Sequence, residues 1–333
     1  MNALVIGANG HLGAHLVRHL LHDGHQVRAF VRPTSDTKTL AGVDVEVVRG
    51  NIQEPHSLRE AVRECDEVYH LAAPTERVSD AYPAIVEGTR HVLQACHRGG
   101  IRRLVYVSSI VTIGYSSTPH VILDERTNQR TDATSYHSAK WVAEREVIAF
   151  GRSEGLSVVI VNPATLVGPL DYRVTPSNAP IQWCLEGRLR IALPGGVTVV
   201  HVADAARGLV LAMQHGRSGE RYILGGDRLT IPEYFMLIAR QCDRPGPLMT
   251  LPRSAVIASA LVFSLVERLI GRRMPLTFSQ ARHLVGKYGW YSSDKAAREL
   301  GYRWRPAAEA VNAYVSWVRA GRPSTSCPDH AVD

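Results

Sequence analysis

Short β-branched runs alternate with stretches of helical periodicity through the first half of the chain, which predicts βαβ units around a parallel sheet. The expected strands are Ala3–Ile6, Val27–Val31, Val43–Val48, Val68–Leu71, Leu104–Val107 and Val158–Val161. Between them Leu12, Leu16, Leu20 and Leu21 recur at helical spacing, as do Val86, Val92, Leu93 and Cys96. After Pro163 the periodicity weakens as Pro169, Pro176, Pro180 and Pro194 follow one another. Val197–Val202 and Tyr222–Leu224 then read as strands completing the sheet, and helices dominate from Ile231. The expected fold class is α/β, a Rossmann-type doubly wound parallel sheet with a smaller, mainly helical C-terminal substrate domain. Residues 1–168, completed by 197–226, would form the dinucleotide-binding domain; 169–196 and 227–321 would form a cap, and 322–333 a frayed, flexible tail.

Composition narrows the class without changing it. At 333 residues, 45% hydrophobic and 21% charged, the chain suits one large α/β unit or two coupled domains and excludes a disordered or collagenous protein. No stretch reaches the roughly 18 consecutive, predominantly apolar residues of a membrane span, and the apolar start runs into a glycine loop rather than a leader peptide. The excess of 38 basic over 31 acidic residues leaves +7, but no arginine run exceeds two, which argues against a nucleic-acid face. Only Lys38, Lys140, Lys287 and Lys295 are lysines. The five cysteines, odd in number and without CxxC spacing, favour reduced thiols and a cytoplasmic location.

The first chemical signal is Gly7-Ala8-Asn9-Gly10-His11-Leu12-Gly13, between the opening strand and an amphipathic helix. Glycines there permit a tight turn, close approach of backbone to a pyrophosphate, and a helix N-terminus facing the anion. Behind the second strand stand Arg32 and Lys38, with no acid before Asp36. A guanidinium fork matches a 2′-phosphate where an acid would accept from a ribose 2′-OH, so NADP(H) is preferred and NAD(H) remains open. His11, His15 and His19 share one helical stripe, but the leucine stripe must face the sheet, which would leave His15 and His19 in solvent and no metal site.

The second signal is Tyr136-His137-Ser138-Ala139-Lys140, where i,i+4 spacing sets a phenol beside an ammonium. A free phenol, with pKa near 10, is a poor acid–base group at neutral pH, and a neighbouring cation lowers that value. Leu104–Val107 delivers Ser108 and Ser109 to the C-terminal edge of the sheet, the edge where such sheets bind ligands. Ser109, Tyr136 and Lys140 are the expected catalytic set.

With these segments, "VYHLAA", "VEGTRHVLQAC", "LVYVSSIVTIG", "VNPATLVGP", "VVHVADAARG" and "SSDKAARELGYRWRP", the chain resembles extended short-chain dehydrogenases/reductases of the NAD-dependent epimerase/dehydratase superfamily over nearly its whole length. "VRAFVRPTSD" and "GERYILGGDRLT" are most similar to dihydroflavonol-4-reductase-like and hopanoid-associated epimerase-like members. The resemblance implies Tyr136 as proton donor or acceptor, Lys140 on the nicotinamide ribose, and Ser109 on the reacting oxygen. It also implies Asn51 and Ile52 near the adenine, Leu71, Ala72 and Ala73 along the cofactor, Pro163 and Leu166 beside the nicotinamide, and a homodimer through the helices near Pro83 and Tyr136. Gly50-Asn51-Ile52 departs from the usual GDxxD, and Ile85 stands where that helix usually carries asparagine.

Sugar-nucleotide members generally carry an arginine in the glycine-rich stretch that here reads Pro194 to His201, and this chain has none between Arg190 and Arg207. An apolar or polycyclic substrate with a carbonyl or hydroxyl is therefore expected; the alternatives are an epimerase/dehydratase acting on a nucleotide sugar with bound NAD, and a non-catalytic dinucleotide sensor. Ser254 to Val266 is uncharged and is followed by Arg268, Arg272 and Arg273, so 254–273 is a candidate lid, interface or peripheral membrane contact.

Overall fold

A computed structural model describes residues 1–73, 81–129, 135–259 and 285–324. In chain order the first βαβ units are β1 (Asn2–Ile6), α1 (His11–His22), β2 (Gln26–Val31), β3 (Glu46–Arg49), α2 (Pro55–Ala61), β4 (Glu67–His70), α3 (Gly88–Arg98), β5 (Arg103–Val107), α4 (Ser135–Glu154) and β6 (Ser157–Pro163). Then follow β7 (Thr165–Val167), α5 (Ala179–Leu185), β8 (Ile191–Ala192), β9 (Gly196–His201), α6 (Val202–His215), β10 (Arg221–Leu224), β11 (Asp227–Thr230) and α7 (Ile231–Cys242).

The main sheet has seven strands in the order β10-β6-β5-β4-β1-β2-β3, every neighbouring pair parallel. Both faces are covered, which explains why its strands read as continuous apolar runs. In β1, Ala3 and Val5 point into the cluster under α1 and α6, while Leu4 and Ile6 join the opposite cluster with α2, α3 and α4. The order reverses between β1 and β4, and that reversal opens a crevice at their C-terminal ends.

Three expectations change. Tyr222–Leu224 does complete the main sheet against β6, but the 197–202 run instead forms β9 at the centre of a three-stranded sheet, β11-β9-β7. That second sheet roots the cap: with α5, α7 and the Ala307–Arg319 helix it encloses a core of its own around Val199, Ile238 and Tyr314. The Val43 strand starts only at Glu46, because the turn at Gly42 (φ +76) precedes it. His15 is fully buried and His19 partly so, since α6 packs along the stripe of α1 that the leucines leave open. Their Nε2 protons serve as tethers, to Pro169 C=O from His15 and to Ala203 C=O from His19, each at 3.1 Å.

The tail begins pinned: Arg18 donates to Ser324 C=O and Trp317 to Pro323 C=O, both at 2.9 Å. Most of the 254–273 segment lies outside the described residues. Its start, at Val256, packs against Val285, Leu193 and Leu251. No helix among the described residues is long and apolar enough to cross a membrane.

Candidate active site

A cleft of about 780 Å³ runs from the glycine turn along the C-terminal edge of the sheet into the cap. The turn is built for close approach. Gly7 has φ +90, and a Cβ there would lie 2.9 Å from Ala72 N; a Cβ on Gly13 would lie 2.3 Å from Gly7 O. α1 starts with Gly10 as its N-cap and no side chain folded over its first amides. This cradle, which any side chain would fill, fits a dinucleotide pyrophosphate with the helix N-terminus facing it.

β5 ends at Val107 and hands over to Ser108 and Ser109. Ser109 is extended (φ −164), and its Oγ accepts from Val111 N at 3.3 Å. α4 buries Ala139, Ala143 and Val147 against the sheet, which turns Lys140 inward and leaves half-buried Tyr136 on the cleft wall. Lys140 Nζ donates to Val107 C=O at 2.8 Å. Burial pushes this ammonium down to about 8, and the charge of Glu144 works against that shift.

Glu144 was not singled out from the sequence, although it stands one turn beyond Lys140. It is buried and accepts from Ser108 Oγ, from Thr112 Oγ1 at 2.7 Å and from Asn162 Nδ2 at 2.9 Å. Arg221 Nε lies 3.1 Å from its other oxygen, an ionic contact without hydrogen-bond alignment. Asn162 Nδ2 also reaches Ser109 C=O at 3.0 Å. One buried carboxylate therefore ties the serine loop to α4, β6 and β10. Its four partners, Ser108, Thr112, Asn162 and Arg221, come from distant parts of the chain and are invisible to any local pattern.

Of the residues expected to hold cofactor, Gly7, Asn9, Gly10, His11, Leu12, Gly13, Lys38, Leu71, Ala73, Pro163 and Leu166 line the cleft, as do Ser109, Tyr136 and Lys140. Arg32, Asn51, Ile52 and Ala72 do not. Arg32 is exposed beyond β2. Asn51 Oδ1 is taken by Gln53 N at 3.1 Å. Ile52 packs over Gly88, where a Cβ would lie 2.6 Å from its Cδ1, and Ala72 abuts Gly7. Residues not anticipated at the glycine-turn end of the cleft are Asp36, 3.5 Å from Lys38, and Tyr172, whose ring lies 4.3 Å below Lys38 Nζ. No cluster of metal-ligating side chains occurs among the described residues.

Residues 3–225 match the family described as NAD dependent epimerase/dehydratase. The chain belongs to this family. It is 35% identical over 328 residues to sterol demethylase protein B of Methylococcus capsulatus, covering 96% of this chain and 98% of that one. It is 28% identical to the 4-hydroxy-2-methyl-3-oxo-4-farnesyl-3,4-dihydroquinoline-1-oxide ketoreductase of Stigmatella aurantiaca, covering 92% of each. A nucleoside-diphosphate-sugar epimerase from Pseudomonas aeruginosa superposes with TM-score 0.79 at 25% identity, over 96% of this chain and 98% of the other. The protein is accordingly an extended short-chain dehydrogenase/reductase, an NAD(P)-dependent enzyme acting on hydroxyl or carbonyl groups.

Proposed function

We propose that the enzyme uses NADP(H) to interconvert a ketone and an alcohol on an apolar, polycyclic substrate, with Tyr136 as the acid–base group. The observation that carries this is the convergence of Ser109, Tyr136 and Lys140 in one cleft with the glycine cradle. The cofactor, when bound, supplies or accepts the hydride. In the reducing direction Ser109 donates a hydrogen bond to the carbonyl oxygen and Tyr136 delivers the proton that the developing alkoxide requires. Lys140, held as an ammonium by Glu144 and oriented by Val107 C=O, stabilises the phenolate left on Tyr136. Tyr136 recovers its proton from solvent, and the oxidising direction reverses each step.

The apolar substrate reading is supported by the cap side of the cleft, where Leu193, Val197, Ile231, Phe235 and Val285 form the walls. It is further supported by relatives named for a sterol and a farnesylated quinoline. Preference for NADP(H) draws on Lys38 in the cleft and Arg32 beyond β2, with Asp36 as the opposing charge. The test is NADPH oxidation against steroid ketones by wild type and Tyr136→Phe. The variant should lose activity by about 10²-fold or more while binding NADPH with unchanged affinity. Turnover retained by the variant would sink the mechanism; tightly held NAD with no net NADPH oxidation would favour an epimerase.

A further inference from the structure

The four lysines of this chain are not equivalent. Lys38 pairs with Asp36 and Lys295 with Glu220, while buried Lys140 donates to Val107 C=O. Lys287 also lines the cleft, and among the described residues it has no carboxylate partner; its Nζ donates to Ser117 Oγ at 2.6 Å. Its backbone is held on both sides. Gly196 N donates to Lys287 C=O at 3.0 Å, and Ser116 exchanges hydrogen bonds with Tyr288 at 3.0 and 2.9 Å. Gly195 keeps that approach open, since a Cβ there would come within 2.6 Å of Lys287 O. The segment carrying Lys287 is thus stitched between the loop that follows Ser109 and the Gly195–Gly196 corner of the cap. The adjoining walls, Leu193, Val197 and Val285, are apolar.

We propose that Lys287, which lines the cap end of the cleft, and exposed Ser117 beside it form an anion subsite at the rim of that end, and that the substrate is an amphipathic acid whose apolar body lies along those walls with its carboxylate on Lys287. An ammonium has three donors, and one is used on Ser117; the remaining two N–H groups and the Ser117 hydroxyl proton are what a carboxylate accepts. Arg173 and Lys38 are ruled out for this task because the residues around them, Asn9, Asp36 and Tyr172, belong to the cofactor end of the same cleft. The inference deepens the oxidoreductase reading above and rests on it for the identity of the reacting group.

The test uses the full chain loaded with NADPH and two probes, a keto bile acid and its methyl ester, which share an apolar body and a ketone and differ in one charge. Calorimetry should show the acid binding about tenfold or more tightly than the ester at low salt. In Lys287→Met, which keeps an apolar stem, the acid should fall to the affinity of the ester while the ester is unchanged, and Lys287→Arg should restore part of the preference. Equal binding of acid and ester by wild type, no binding of the acid, or a preference that survives in Lys287→Met would overturn the proposal. NADPH oxidation separates the two readings. If the ester is reduced with no preference for the acid, the ketone reductase stands and the anion subsite falls. A Lys287-dependent preference for the acid without any NADPH oxidation would keep the subsite and remove reduction of such ketones.

Discussion

Lys140 is a charged group placed where water is nearly excluded, and two opposing effects set its state. Burial lowers its pKa to about 8, and the Glu144 carboxylate holds it from falling further. The ammonium exists below that value and is lost as pH rises through it, so activity that needs the charge should show an alkaline limb near pH 8 in kcat/KM. Glu144→Gln removes the opposing charge, so the limb should move to lower pH; an unmoved limb would detach Glu144 from Lys140. The same substitution leaves Arg221 beside an uncharged amide in a buried setting. It should cost about 3–5 kcal/mol of stability, measurable by denaturant titration. Tyr136, Lys140 and Ser109 were legible because their spacing and strand context are local. Glu144 and Lys287 were not, since the first acquires meaning from Ser108, Asn162 and Arg221, and the second from residues 116 and 196.

The βαβ elements follow from periodicity, and the glycine turn shows why single positions within them tolerate no change. Gly13 sits at the first turn of α1, where a methyl group would occupy the space of Gly7 O. Gly13→Ala should lift α1 off the turn, with about 1–3 kcal/mol of overpacking strain appearing as weaker NADPH binding and a lower Tm. Unchanged NADPH affinity would contradict the cradle. α1 also shows how an amphipathic pattern misleads. Its leucines face the sheet as expected, but α6 supplies a second apolar surface, and His11, His15 and His19 become interior donors to 168, 169 and 203. A polar stripe denotes solvent only when nothing packs on it, and what packs on it lies almost two hundred residues away.

Across the whole molecule, buried imidazoles set an acid limit. Burial drives His70 and His201 down to about 3 and His137 to about 4, with Arg305 adding to the effect on His201 and Lys140 to that on His70. Each folded value is depressed below the ordinary 6.5, so the unfolded chain takes up protons first. The stability these groups contribute is present above pH 6.5 and lost as pH falls toward 4. Calorimetric Tm should therefore begin to drop near pH 6.5, above the range where carboxylates titrate; a flat Tm down to pH 5 would contradict neutral, buried histidines. Arg305, which donates to Asp204 at 2.9 Å, ties the chain just before the Ala307–Arg319 helix to α6 and so joins the C-terminal helix to the layer that covers the main sheet. By itself the sequence determined the parallel sheet, the glycine turn and the Ser/Tyr/Lys set, because each depends on residues a few positions apart and on periods of two or 3.6. Only the tertiary structure decided that β9 leaves the main sheet, that the histidine stripe is buried, and that Lys287 faces the cleft containing Tyr136. Those outcomes depend on which distant surfaces meet, and no local pattern encodes that choice.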